Sequence, residues 1–161
     1  MKKKQITLRV NGQSHHLLVE PNDLLLGVLR EELDYTGSKY SCGTGQCGAC
    51  TVLLEGRPIL SCLTLAVAVD GGEITTIEGV AGPDGSLDDL QEAFLDNNAI
   101  QCGFCTPGMV LLAKDLLKEN PNPSEEQIRW HMKGNICRCT GYAGIVRAVQ
   151  QCAEADSGAQ A

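Results

Sequence analysis

Nine cysteines in 161 residues limit what this chain can fold into more than any other feature. Hydrophobic residues make up 43% of the sequence but aromatic residues only 4%, so any small core would be short of large side chains. Domains of that kind usually need a second source of cohesion. Disulfides would require an oxidising compartment. The opening residues, Met1 to Arg9, carry charges that suit the head of a signal peptide, but no apolar segment follows and there is no twin-arginine pair. No apolar run approaches the roughly 18 residues a membrane span needs. The expectation is a cytoplasmic chain whose clustered cysteines bind metal. Its net charge of −7 argues against nucleic acid and anionic membranes as partners.

Two halves are predicted, residues 1–80 and 81–161, joined through the glycine-rich stretch Gly79 to Gly85. The first half is β-rich. Ile6, Leu8 and Val10 alternate with polar residues, Asn11-Gly12 is a hairpin signal, and Leu17 to Glu20 is the returning strand. Pro21-Asn22-Asp23 should open a helix with Leu24, Leu25, Val28 and Leu29 on one face. Thr51 to Glu55, a turn at Gly56-Arg57, and Ile74 to Ile77 complete a small mixed sheet.

The second half reads as helices. Ser86 with Asp89 resembles a capping box ahead of Leu87, Leu90 and Phe94. Thr106 and Pro107 suit the cap and first position of a helix that Asn120 to Pro123 ends. Ser124 with Gln127 opens a third helix that Gly134 closes, and a fourth runs from Tyr142 through Ile145, Val149 and Cys152. Each half of this region reads helix, cysteine pair, helix, and Cys105-Thr106-Pro107-Gly108 parallels Cys139-Thr140-Gly141-Tyr142. The expected fold is α+β, its second part a four-helix bundle with approximate two-fold symmetry and four cysteines meeting on the axis.

Cys42, Cys47 and Cys50 have C-x4-C-x2-C spacing, with Cys62 further along. The three-cysteine run is the plant-type ferredoxin spacing for a 2Fe–2S cluster, which needs a fourth ligand downstream. Gly43, Gly45, Gly48 and Ala49 let the loop wrap closely and aim backbone N–H groups at sulfur. Cys102 and Cys105 form a CxxC pair, and Cys137 and Cys139 a CxC pair. That spacing alone leaves a four-cysteine zinc site or a redox dithiol open. Placement just ahead of predicted helix starts favours iron–sulfur, because a helix N-terminus stabilises the added electron. Cys152 reads as a small apolar packing residue, and His15, His16 and His131 as surface or packing groups. Asp88-Asp89 and Glu125-Glu126 read as helix N-terminal charges, so no catalytic set is predicted.

The stretch from Cys42 to Val52 resembles the N-terminal cluster loop of the xanthine oxidase family of molybdenum hydroxylases. Gln101 to Gly108 and Gly134 to Tyr142 resemble its second-cluster motifs. The three motifs fall in the family's order, cover nearly the whole chain, and show no departure at a cluster position. The resemblance implies a β-grasp, ferredoxin-like domain followed by a helical 2Fe–2S domain. It implies Cys42, Cys47, Cys50 and Cys62 as ligands of the first cluster and Cys102, Cys105, Cys137 and Cys139 as ligands of the second. It also implies a large partner subunit carrying molybdopterin and substrate, and a medium subunit carrying FAD. Gln101 would contact the pterin, and Cys139 would be the ligand nearest to it. Electrons would pass from molybdenum to the second cluster, then the first, then flavin. A free-standing ferredoxin is the competing reading, against which the helical half argues.

Overall fold

The computed structural model describes residues 2–158. Strand β1 (Lys4–Val10) turns into β2 (Gln13–Val19) at Asn11 and Gly12, both left-handed at φ 51° and 79°. Those angles suit a two-residue turn matched to strand twist, and they pair Val10 with Gln13. Strands β3 (Thr51–Leu54) and β4 (Arg57–Leu60) form a second hairpin, and β5 (Glu73–Thr75) lies between the two. The sheet order is β2-β1-β5-β3-β4, with β5 parallel to β1 and antiparallel to β3. Helix α1 (Leu25–Gly27), extended by a π-helical turn over Val28–Glu32, crosses the sheet. It buries Leu25, Val28 and Leu29 against Leu8, Val10, Val52 and Ile74.

Helices α2 (Asp89–Asp96), α3 (Thr106–Glu119), α4 (Glu125–Met132) and α5 (Ala143–Gly158) share a second core. Phe94, Met109, Val110, Ile128, Ile145 and Val149 fill it. The two parts touch where α3 lies against β3 and β4.

Several element boundaries differ from those expected. Leu24 is extended, 40% exposed and bridged to Leu65, so it does not share the buried helical face. The Asp23 carboxylate accepts the Glu20 N–H at 2.7 Å, which closes a turn and delays the helix by one residue. The second hairpin turns at Glu55-Gly56, the two left-handed residues, and Arg57 already belongs to β4. β2 starts earlier than Leu17, and Ile77 leaves the sheet for a 3-10 turn packed against the helical core.

The cap of α2 is Asp88 with Gln91. The Asp88 side chain accepts the Leu90 N–H at 3.2 Å, and Gln91 returns to the Asp88 N–H at 3.0 Å. Ser86 is occupied with Asp84 instead, and Leu87 is 44% exposed ahead of the helix. Ser124 and Gln127 cap α4 as expected.

Candidate metal centres

The loop from Cys42 to Cys50 folds tightly because Gly43, Gly45 and Gly48 take φ of 65°, 80° and 70°, a region that disfavours side chains. A Cβ at Gly45 would lie 2.5 Å from Leu63 Cδ1, and one at Gly43 would lie 2.7 Å from the Tyr40 hydroxyl oxygen. The Thr44 N–H points at Cys42 Sγ at 3.4 Å. Contacts from Thr44, and then from Cys47, hold the Cys42 thiol down to about 5. Cys50 is buried, and burial pushes it up to about 11.

Cys62 reaches this loop through the second hairpin. Thr51 pairs with Leu60, which leaves Cys50 and the turn Ser61–Leu63 at the same end of the ladder. The Ser61 hydroxyl and N–H both donate to the Cys50 carbonyl, at 2.7 and 3.3 Å.

The helical part gathers the other four. Cys105 stands at the N-terminal boundary of α3, one residue earlier than the predicted cap, with Pro107 in the first turn. Cys137 and Cys139 lie in the connection from α4 to α5. Cys139 Sγ sits 3.6 Å from Cys102 Sγ. Cys105 is buried and pushed up to about 12, mainly by burial and then by its contact with Cys137. Burial acts on Cys137 as well, but the Thr140 hydroxyl, 3.1 Å from its sulfur, and neighbouring N–H groups outweigh it and lower the thiol. Cys139 is raised, first by its contact with Cys102. The Tyr142 hydroxyl accepts the Cys137 N–H at 2.9 Å and pins this loop.

In both sets the thiols meet two by two. Cys42 contacts Cys47 and Cys50 contacts Cys62; Cys102 contacts Cys139 and Cys105 contacts Cys137. Between the pairs the influence is longer-ranged, as from Cys47 on Cys50 and from Cys102 on Cys105. Among the described residues, no group of three or more His, Cys, Asp or Glu stands close enough to hold a metal ion. Paired thiols suit a group with two metal atoms, each taking two sulfurs. The eight cysteines of the two sets are free thiols.

Gln101 is exposed beside Cys102, and Cys139 is exposed as well. Cys152 lies outside both sets, half-buried against the helical core. His15 packs edge-on to Tyr35, and His16 meets the Thr7 hydroxyl at 3.0 Å. His131 does have an acidic partner, which its sequence neighbours do not reveal: the buried Asp115 of α3, 3.1 Å away. Asp88 caps α2, Asp89 lies in its first turn, and Glu125 and Glu126 lie in the first turn of α4. Thr44, Thr140 and Tyr142 support the cysteine loops through contacts that cysteine spacing does not reveal. Thr140 and Tyr142 carried a signal, since both lie inside the repeated motif after Cys139.

Residues 8–75 match the family described as the 2Fe-2S iron-sulfur cluster binding domain, and residues 76–150 match the 2Fe-2S binding domain family. The fold and the two cysteine sets thus define a protein with two 2Fe–2S domains. Over 157 residues the chain is 48% identical to the nicotinate dehydrogenase small FeS subunit of Eubacterium barkeri, covering 95% of this chain and 99% of that one. Quinoline 2-oxidoreductase from Pseudomonas putida 86 contains a chain that superimposes with a TM-score of 0.93 at 42% identity, covering 99% of this chain and 98% of that one. The aldehyde oxidoreductase of Desulfovibrio desulfuricans ATCC 27774 gives a TM-score of 0.90 at 48% identity. That match covers 98% of this chain but only 17% of the larger one. The chain belongs to the small iron–sulfur subunits of the xanthine oxidase family of molybdenum hydroxylases. It is an electron-transfer component of an oxidoreductase.

No helix among the described residues is long and apolar enough to cross a membrane.

Proposed function

We propose that this chain relays single electrons between the molybdopterin centre of a large partner subunit and an acceptor, FAD on a medium subunit, through two 2Fe–2S clusters. The gathering of eight thiols into two sets, with Cys139 Sγ 3.6 Å from Cys102 Sγ in the second, carries this reading. Cys42, Cys47, Cys50 and Cys62 would hold one cluster, and Cys102, Cys105, Cys137 and Cys139 the other. When bound, such a cluster supplies reversible storage of one electron.

The chain's own residues then set the conditions for that storage. The Thr44 N–H and the Thr140 hydroxyl direct hydrogen-bond donors at Cys42 and Cys137, which favours the more negative, reduced state. The N-terminus of α3 faces its set from Cys105 and acts in the same sense. Burial of Cys50, Cys62, Cys105 and Cys137 shields each site from water, while Cys42, Cys47, Cys102 and Cys139 lie nearer the surface. Each set therefore has a sheltered side and an outward side toward which a partner can deliver or collect electrons.

The division into a ferredoxin-like part, residues 1–80, and a helical part, residues 81–161, is supported by the two separate cores. The repeat of helix, cysteine pair and helix supports an approximate two-fold bundle, with its second cysteine set near the axis. The likeness to one segment of a larger aldehyde oxidoreductase chain supports a large partner here. The free thiols fit a cytoplasmic setting.

Gln101, exposed beside Cys102, can offer two amide donors and an acceptor to a pterin edge. Gln101→Ala should remove hydrogen bonds worth about 1 kcal/mol each. In the native complex, rapid mixing with substrate should then show slower reduction of the helical-part signal or reduced pterin retention, with both clusters assembled. An unchanged rate with full pterin content would exclude the contact. Undiminished reduction of the first cluster by substrate in a Cys137→Ser complex would overturn the order of transfer.

A further inference from the structure

Three cysteine-bearing segments converge on one buried side chain, Asn135. It is 1% exposed, and among the described residues neither its Oδ1 nor its Nδ2 has a hydrogen-bond partner. Nearly all buried polar groups in folded proteins are paired, so an orphaned amide needs a reason.

Its neighbours supply one. A Cβ at Gly48 would lie 2.8 Å from Asn135 Cα and 3.0 Å from its Cβ. A Cβ at Gly108 would run into Asn135 Nδ2 and lie 2.6 Å from the Gly48 carbonyl oxygen. The amide therefore fills a narrow slot between two glycines. One lies between Cys47 and Cys50, and the other lies three residues beyond Cys105. A flat amide fits between two such faces where a branched aliphatic side chain would not.

The nearby backbone is already engaged. Thr51 donates to the Gly48 carbonyl from its N–H at 3.0 Å and its hydroxyl at 2.7 Å, filling both acceptor positions. The Ile136 N–H donates to the Cys47 carbonyl at 2.9 Å.

The geometry points to Asn135 as a positioning residue that sets the separation of the two cysteine sets, a spacer at the meeting point of the first-set loop, the start of α3 and the α4–α5 connection. This inference rests on the two-cluster reading above. Electron exchange between two centres falls steeply with their separation, as does the magnetic interaction between them when both are reduced. Holding the loops at one spacing fixes both quantities, and the unpaired amide is the cost of the shape.

The test uses the full chain, loaded and fully reduced. Iron and labile sulfide are counted, and the spin–spin splitting between the two paramagnetic signals is measured. Asn135→Ala should keep the wild-type iron and sulfide content and shift the splitting. Gly108→Ala, which presses on the same slot from α3, should also shift it. Wild-type splitting in both variants, with the centres filled, would reduce Asn135 to a packing residue and overturn the inference. If Asn135→Ala lost iron, Gly108→Ala would decide alone: a shifted splitting supports the spacer and an unchanged one refutes it. A wild-type chain without iron and sulfide would sink the two-cluster reading instead, a separate failure that the same samples reveal.

Discussion

Only two residues separate Cys47 from Cys50, yet their thiols interact with different partners, Cys42 and Cys62 respectively. Spacing marked the cysteines as candidate ligands but could not show which sulfurs meet, because pairing depends on the β3–β4 register and on left-handed glycines. The second set was less legible still. Its two halves are separated by α3 and α4, and only the folded core brings Cys139 within 3.6 Å of Cys102. His131 illustrates the same limit, since its Asp115 partner lies on another helix. Site independence can be tested by substitution. Cys47→Ser should remove or alter one reduced-state paramagnetic signal and spare the other, and Cys137→Ser should do the reverse. Loss of both signals from a folded single variant would refute two separate sites. Cys152→Ser should leave both signals intact and lower stability by about 1 kcal/mol, as measured by chemical denaturation.

Elements are legible in the sequence where local chemistry decides and obscured where neighbours compete. Ser124 and Gln127 form both arms of a capping box with no rival nearby. At α2 the same local pattern points to Ser86, but Asp84 takes the Ser86 hydroxyl at 2.7 Å and leaves Asp88 to cap. Asp88 also meets Lys114 of α3 at 2.6 Å, a contact between helices that no local pattern encodes. Leu24 was misplaced for a similar reason, since its bridge to Leu65 spans forty-one residues. Ser124→Ala should cost about 1 kcal/mol in thermal or denaturant unfolding, the usual loss at an N-cap. Asp88→Ala should cost more, because it removes a cap and a partly shielded ion pair together. Equal losses in the two variants would show that the Lys114 contact adds nothing.

The whole molecule has two main cores, one under the sheet and one among the helices, which meet along α3 and at the Ile136–Cys47 hydrogen bond, while Cys50 and Cys62 pack in a small third cluster with Leu26. Both cores are light on aromatic residues, with Phe94 the one large ring fully buried among the described residues. Phe94→Ala should therefore destabilise the helical core by about 3–5 kcal/mol and release its metal first, as followed by the loss of one paramagnetic signal on warming. The central claim is that eight of nine cysteines serve two 2Fe–2S clusters. Its most direct test is the iron, zinc and acid-labile sulfide content of protein purified without air. The account predicts about four iron and about four sulfide per chain, in red-brown protein that bleaches with dithionite. Stoichiometric zinc without sulfide would contradict it.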